Sequence, residues 1–410
     1  MTRHEALRRY GPWVGLLVAA AAYYPRFARD SMGMMLYPQG ASCVLQGAPL
    51  DQCAELFTYP PAFAFLMTPF AFMPFGLRVA VWYLISIGAS VGCFVVSEKL
   101  VMRLLPGRWS ETELAWLRIT TVILSLKFVL AVLEWQAYDT LTAVIVLLGL
   151  AALAANRSVS AGALLGLAAA IKATPLVFLP YCIVKRRFIT TAVFILVFFG
   201  LWFLPDIYAS LKGMHPHYLE NWLRKMAFAA IVNEPGQNRV FWGAWMDATT
   251  LNQSFRGMVT RLFHDTSAAA YAEAALNTLN VVYIAIVGLL LLRTRRRDDF
   301  AAVDGSLLLI SMLMLSPMTS RYHFVLLVLP YMTVMGITIR DRSLRVLGIA
   351  TLASSFVLGT ATANDITGSS LADWSYYNNF PIFSALVMFV FLAYVICRYD
   401  MRPKSVADKT

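Results

Sequence analysis

The sequence predicts an all-α polytopic membrane protein, and three observations carry that reading. Of its 410 residues, 59% are hydrophobic and only 14% are charged, whereas an ordinary soluble domain carries about a quarter charged residues. Several apolar runs approach or exceed about 18 residues, the length that crosses a bilayer as a helix. One of them, "LTAVIVLLGLAALAA" (141–155), is continuous, unlike the short alternating segments of a membrane β-barrel. Finally, the basic residues gather at the ends of these runs: "RRY" (8–10), "KRR" (185–187), "RTRRR" (293–297), "RDRSLR" (340–345) and "CRYDMRPK" (397–404). That is the positive-inside pattern. It accounts for the net charge of +11 without a nucleic-acid partner, since no basic stretch is interleaved with a soluble module.

Taking the basic clusters as cytoplasmic marks, the elements follow in order. The N-terminus is cytoplasmic, and a first span near 11–24 leads outward. Pro25-Arg26-Phe27 follows it instead of a small-residue cleavage site, so it is expected to stay as an anchor. Residues 25–58 form an external loop. "FTYPPAFAFLMTPFAFMPFG" carries Pro60, Pro61, Pro69 and Pro74, each removing a backbone donor, and predicts short helices at or dipping into the outer face. The next apolar run returns to Lys99, Arg103 and Arg108, and its successor leads out to the external turn "EWQAYD" (134–139). The run 140–155 comes back in. "SAGALLGLAAAIKATPLVFLPYCIV" has basic marks on both sides, so parity requires two short helices with Lys172 and Pro175 at the break. A further span exits, residues 206–275 form a mixed external segment, and spans near 276–292, 305–320, 323–339, 346–362 and 380–397 end at a cytoplasmic C-terminus. The total is about twelve spans in one domain, 1–410, with the polar motifs on the outer side.

Cys93, Cys182 and Cys397 lie in apolar runs and read as packing residues. Cys43 and Cys53 share one polar loop; if it is extracytoplasmic, a disulfide and two free thiols are both open. Charges kept near a bilayer are costly and usually functional. Asp30 is a candidate general base for a hydroxyl proton, with a solvated acid or a partner for Arg26 or Arg29 as the alternative. Asp51 is the competing carboxylate. Glu134, Gln136 and Asp139 can line a cavity and bind sugar hydroxyls. Lys172, at a helix break, offers charge beside free backbone groups to a phosphate. "TTLNQSFRGMVTRLF" (249–263) joins Asn252, Gln253 and Ser254 to Arg256, whose forked donors suit phosphate; a capped surface helix is the alternative. "LMLSPMTSRYHF" places Ser316, Arg321, Tyr322 and His323 where two spans meet. "HPH" (215–217) lacks further ligands at metal spacing, Gly88/Gly92 and Gly162/Gly166 read as helix-packing pairs, and "NRS" (156–158), being cytoplasmic, is no glycosylation acceptor.

Taken in order, "FTYPPAFAFLMTPFAFMPFGL", "GLAAAIKATPLVFLPYCIVKRR", "LNQSFRG" and "LSPMTSRYHFVLLVLP" resemble the family 87 glycosyltransferases of the GT-C class, over about residues 30–335. The resemblance implies a GT-C-type bundle in a bacterial-type plasma (inner) membrane. It implies inverting transfer of a hexose, most often mannose, from a polyprenyl-phosphate donor on the extracytoplasmic face. The acceptor is a lipid or a glycan, membrane lipids surround the site, and no cofactor or metal is demanded. The family's "Asp-x-x-x-Tyr-x-x-Gly-Ala" pattern aligns on Tyr37, Gly40 and Ala41, which puts its aspartate at Gly33. Asp30, one helical turn earlier, is the nearest acid and the expected base. The family's "Gly-Gln" turn corresponds loosely to Gln136 and Asp139, and its "Ser-Pro…His-His" to Ser316, Pro317 and His323, with Tyr322 at the first histidine. The expected donor-phosphate groups are therefore Lys172, Arg256, Arg321 and His323. Those expected on the substrate are Tyr37, Asp51, Tyr59, Gln136, Asp139, Asn252 and Gln253. The competing functions are a transporter or flippase of a polar or lipid-linked substrate, for which a broken helix at Lys172 is also apt, and a non-catalytic assembly protein, which Gly33 keeps open.

Overall fold

The computed structural model describes residues 14, 18, 21–29, 32–54, 56–228, 250–264 and 266–400. Asp30 and most of the expected first span lie outside the described residues. Among the described residues every regular element is helical. The principal ones are α1 (Met32–Gln46), α2 (Phe75–Leu104), α3 (Glu111–Glu134), α4 (Asp139–Ala154), α5 (Ser158–Ile171), α6 (Phe178–Val184), α7 (Phe188–Leu211), α8 (Phe255–Phe263), α9 (Ala272–Thr294), α10 (Ala301–Leu315), α11 (Val328–Arg340), α12 (Arg345–Thr360) and α13 (Phe380–Asp400).

Among the described residues, six segments are long and apolar enough to cross a membrane: Phe75–Leu104, Glu111–Glu134, Phe188–Leu211, Ala269–Thr294, Arg321–Arg340 and Phe380–Arg398. Asp139–Ala154, Ser158–Ile171, Thr174–Val184 and Arg345–Thr360 are apolar but shorter. Each expected span after residue 275 coincides with a helix, so the sequence and the structure agree on where helices lie. They differ in length, because several fall short of the roughly 20 residues that cross 30 Å of hydrocarbon. Burial separates centre from rim. The apolar window of Arg321–Arg340 is 83% buried, whereas those of Phe188–Leu211 and Ala269–Thr294 are 28% buried and leave most of their surface outward.

Local chemistry sets the breaks. Pro61–Leu66 and Thr68–Ala71 each carry proline in the first turn, where its missing N–H costs nothing. α3 opens on a capping box, the Ser110 hydroxyl accepting from the Glu113 amide while the Glu113 carboxylate accepts from the Ser110 amide, which satisfies two orphan donors. α5 stops at Lys172, whose backbone is extended (φ −145°, ψ 126°), and a 3-10 turn, Thr174–Val177, follows with Pro175 in it.

The chain then folds back through α6 so that α5 and α7 run side by side in one direction. A Cβ on Gly162 would lie 2.5 Å from the Thr190 carbonyl oxygen, and one on Gly166 2.6 Å from that of Phe194. Further along, Trp202 Nε1 donates to the Ala170 carbonyl at 3.2 Å. The small-xxx-small pair lets the two backbones meet. Lys127, inside α3, donates to the Gly359 carbonyl at 2.6 Å and to the Thr362 hydroxyl, placing a cation where the carbonyls of α12 run out.

The alternation of directions gives the bundle two ends. Glu134, Asp139, Lys172 and the Arg321–Leu327 turn share one. Arg157, Lys185, Arg297 and Arg340 share the other, where Lys185 meets Asp304 at 2.7 Å with side chains 3% and 0% exposed. That pair is saturated. Lys185 Nζ also donates to the Thr294 carbonyl at 2.6 Å, and Asp304 accepts from Thr294 Oγ1 at 2.7 Å and from Tyr181 at 3.3 Å. Removing one partner of such a pair leaves an uncompensated buried charge, costing about 3–5 kcal/mol. Lys185→Met should therefore lower thermal stability in detergent markedly, while the double replacement Lys185→Met/Asp304→Leu should recover most of the loss; equal melting of the single variant and the parent would show the pair to be dispensable.

Candidate active site

The turn between α3 and α4 is held by one buried amide. Gln136 has a left-handed backbone (φ 49°) and is fully buried. Its Nε2 donates to the Phe27 carbonyl at 2.9 Å, and its Oε1 accepts from the Met34 amide at 3.0 Å. Its carbonyl accepts from Trp82 Nε1 at 3.0 Å and from the Tyr37 hydroxyl at 3.3 Å. Gly33, the position aligned with the family's aspartate, packs on this residue; a Cβ there would lie 2.8 Å from Gln136 Cβ. No side chain fits at 33 without moving the turn.

Three residues on, Asp139 opens α4 with its side chain 3% exposed. Lys172 Nζ, delivered by the end of α5, donates to Asp139 Oδ1 at 2.5 Å and sits 5.4 Å from the centre of the Tyr138 ring. His323 Nε2 lies 3.7 Å from the same carboxylate oxygen. The Ser320 amide donates to His323 Nδ1 at 2.7 Å, a bond that favours the tautomer with its ring proton on Nε2, the nitrogen facing Asp139. Two nitrogen donors thus converge on one anionic oxygen. The second oxygen, Asp139 Oδ2, is buried and has no hydrogen-bond partner among the described residues.

These groups line a cavity of about 290 Å³, whose walls also include Tyr37, Tyr59, Trp135, Tyr138, Trp222 and Tyr322. Tyr138 stacks on Phe63 with ring centres 4.5 Å apart and meets Tyr59 edge-on at 5.1 Å. Burial pushes the Tyr59 hydroxyl up to about 12, so it remains a neutral donor and acceptor. Flat aromatic walls with a few charged groups at one side suit a sugar ring joined to an anion.

Of the residues expected from sequence, Tyr37, Tyr59, Asp139, Lys172 and His323 line this cavity. Gln136 holds the turn behind it. Arg321 lies alongside, bonded to Glu134 at 3.1 Å with its guanidinium 5.6 Å from the Trp135 ring centre; Glu134 also bridges to Arg26 at 3.1 Å. Asp51 is paired with Lys225 beside a small separate pocket. Asn252 and Gln253 are buried and bind loop backbone. Asn252 donates to the Pro317 carbonyl at 2.9 Å and accepts from the Thr319 amide at 3.2 Å, and the Gln253 amide donates to the Thr319 carbonyl at 2.6 Å. They staple the loop that delivers Met318 and His323 to the cavity. Arg256 lines a different cleft.

Sequence reasoning did not single out Trp135, Tyr138 or Trp222; their adjacency to Gln136 and Asp139 was the available signal for the first two. Cys43 and Cys53 form a disulfide, Cα–Cα 5.9 Å, closing the segment that precedes the wall residues Leu56 and Tyr59. Among the described residues no cluster of His, Cys, Asp and Glu could hold a metal ion.

A bundle of long apolar helices with a polar, aromatic cavity at one end defines a multi-pass membrane protein. The family model for glycosyltransferase family 87 matches residues 57–317, and the chain belongs to that family, as its four motifs implied. It is similar to the polyprenol-phosphate-mannose-dependent alpha-(1-2)-phosphatidylinositol pentamannoside mannosyltransferase of Mycobacterium tuberculosis, 27% identical over 281 residues, covering 66% of this chain and 56% of the relative. It is similar also to the protein of that name from Mycolicibacterium smegmatis, 30% identical over 280 residues, covering 66% and 59%. The chain thus matches less than two thirds of the length of these curated relatives. No solved structure matches it.

Gln136→Leu would orphan the Met34 amide and the Phe27 carbonyl at about 1–3 kcal/mol each. Melting monitored by tryptophan fluorescence should fall accordingly, and Gly33→Ala should also destabilise; a Gln136→Leu variant melting with the parent would refute the staple.

Proposed function

We propose that the protein transfers a hexose, mannose by analogy with its relatives, from a polyprenyl-phosphate donor to a glycolipid acceptor of the mannosylated phosphatidylinositol kind. The observation that carries this is the convergence of Lys172 Nζ and His323 Nε2 on one anionic oxygen, that of Asp139, within an aromatic cavity. In such a transfer the bond from sugar C1 to the phosphate oxygen breaks while an acceptor hydroxyl attacks C1 from the opposite face, with inversion. The leaving phosphate gains negative charge, and the ammonium of Lys172 with the Nε2–H of His323 is suited to stabilise it. Asp139 holds the two donors in place and so stands on the leaving-group side. The hydroxyl proton goes to a carboxylate on the other side, and Asp30 is the residue we assign. It precedes Met32 by two positions, and Met32 and Gly33 line the cavity. Arg321, against Trp135, adds positive potential at the edge.

Two independent features support an extracytoplasmic site. The Cys43–Cys53 disulfide lies at the cavity end and needs an oxidising compartment. The described basic residues Arg157, Lys185, Arg297 and Arg340 lie at the other end, which we assign to the cytoplasm together with both termini. The shorter apolar helices, together with the first span, bring the membrane crossings towards twelve.

In membranes supplied with polyprenyl-phosphate mannose and a mannosylated phosphatidylinositol, Asp30→Asn should lower transfer by about 10²–10⁴-fold without weakening donor binding. Full activity in that variant would dismiss Asp30 as base and direct attention to Asp139. Lys172→Ala and His323→Ala should each weaken donor binding about tenfold or more; unchanged titration in both would remove the phosphate assignment. In a Cys397→Ser background, a membrane-impermeant maleimide applied to intact cells should label Glu220→Cys and spare Arg157→Cys. The reverse pattern would invert the topology.

A further inference from the structure

A second ligand site is built at the rim of the bundle. On α8, Arg256 and Thr260 follow one another at i and i+4, the spacing that places side chains on one helix face, and His264 caps the C-terminal end of the helix. All three line a cleft of about 340 Å³ that α8 forms with the first turns of α9, together with Glu273 and the apolar Phe263 and Leu276.

Arg256 is the anomaly in this cleft. Its side chain is only 11% exposed. Among the described residues its guanidinium makes no hydrogen bond, and its carboxylate partner, Glu273, is 3.8 Å away and 42% exposed. A guanidinium presents five N–H donors, and those of Arg256 meet only one carboxylate, beyond hydrogen-bond distance, among the described residues. Burial accordingly lowers its pKa, with Glu273 acting in the opposite sense. An oxyanion with several acceptor oxygens is what such a fork lacks, and phosphate matches it bidentately.

The surroundings say where that anion comes from. α9 belongs to the least buried of the long apolar segments, and Val281, Val282 and Ile284 on it are more than half exposed, a surface for acyl chains. Leu262 of α8 is 61% exposed. α8 itself is short and amphipathic and lies beside the start of a candidate span, as an interfacial helix does. A phosphate in this cleft would therefore sit at headgroup depth with hydrocarbon next to it.

We propose that the cleft between α8 and α9 binds the phosphodiester of an anionic phospholipid, with Arg256 forked on its oxygens and Thr260 donating its hydroxyl. The site is separate from the cavity at Asp139 and takes no part in the transfer chemistry itself. Asn252, four residues before Arg256, holds the Pro317–Thr319 loop, so an occupied cleft would also steady the loop carrying Met318 and His323.

The test is native mass spectrometry of the whole protein, purified from bilayers of phosphatidylglycerol and phosphatidylcholine and then stripped with detergent. The wild type should keep one phosphatidylglycerol per chain in preference to phosphatidylcholine. Arg256→Gln should lower that retention about tenfold or more and Thr260→Val about threefold, while Glu273→Gln should keep or raise it. Lys172→Ala, which alters the donor cavity, should retain the lipid as the wild type does. Equal retention by Arg256→Gln and wild type overturns the proposal, as does loss of the lipid in Lys172→Ala. Displacement from the wild type by millimolar inorganic phosphate makes the ligand a free anion and overturns it too. If Arg256→Gln does not fold, Glu273→Gln decides: a loss of lipid there would mark the pair as merely structural.

Discussion

The carboxamide of Gln136 is the interaction on which the site depends. It faces a low-dielectric interior where an unpaired amide is expensive, and it binds the 21–29 helix through Phe27 and α1 through Met34, while the backbone carbonyl of the same residue holds α2 through Trp82. Its left-handed backbone ends α3 and points the next residues, Tyr138 and Asp139, into the cavity. A glycine at 33 follows from the same constraint, since α1 can approach the turn only where it carries no Cβ.

Two buried lysine–aspartate pairs show how one chemistry serves two ends. Lys185 and Asp304 are surrounded by further partners at the basic end, and both charged groups of the pair have their hydrogen bonds answered. Such a saturated pair locks α6, α9 and α10 together. Lys172 and Asp139 are as close but less complete. Asp139 Oδ2 has no hydrogen-bond partner among the described residues, His323 stands at 3.7 Å, and open volume adjoins them. An ion pair with unspent valence beside a cavity can exchange partners with a ligand, whereas a saturated one cannot do so without breaking the fold.

The segment 250–264 reaches the site through backbone rather than through contact with the cavity. Asn252 and Gln253 bind the carbonyls and amide of the 317–319 loop, and the Ser316 hydroxyl accepts from the Met318 amide within it. Two of the sequence motifs that mark the family are therefore halves of one assembly. The first staples a loop, and the second is that loop, carrying His323 on a 3-10 turn. Precision at the cavity comes from these supporting bonds, because a loop crossing between two apolar helices has no ladder of its own to fix it.

The sequence by itself determined the helices, their order, the breaks at the prolines and at Lys172, the separation of basic and polar ends, and the family. Each of these is written locally, in runs of apolar residues, in residues that cap or interrupt them, or in motif order. It did not determine which polar residues meet. Whether Cys43 and Cys53 join, that Asn252 turns to a loop while Lys172 turns to Asp139, and that Trp135, Tyr138 and Trp222 close one wall were all decided by tertiary packing. The physical reason is that a helix in a membrane is apolar on both its lipid-facing and its buried sides. The pattern that tells inside from outside in a soluble helix is absent, and the neighbours of a side chain are fixed only when the bundle assembles.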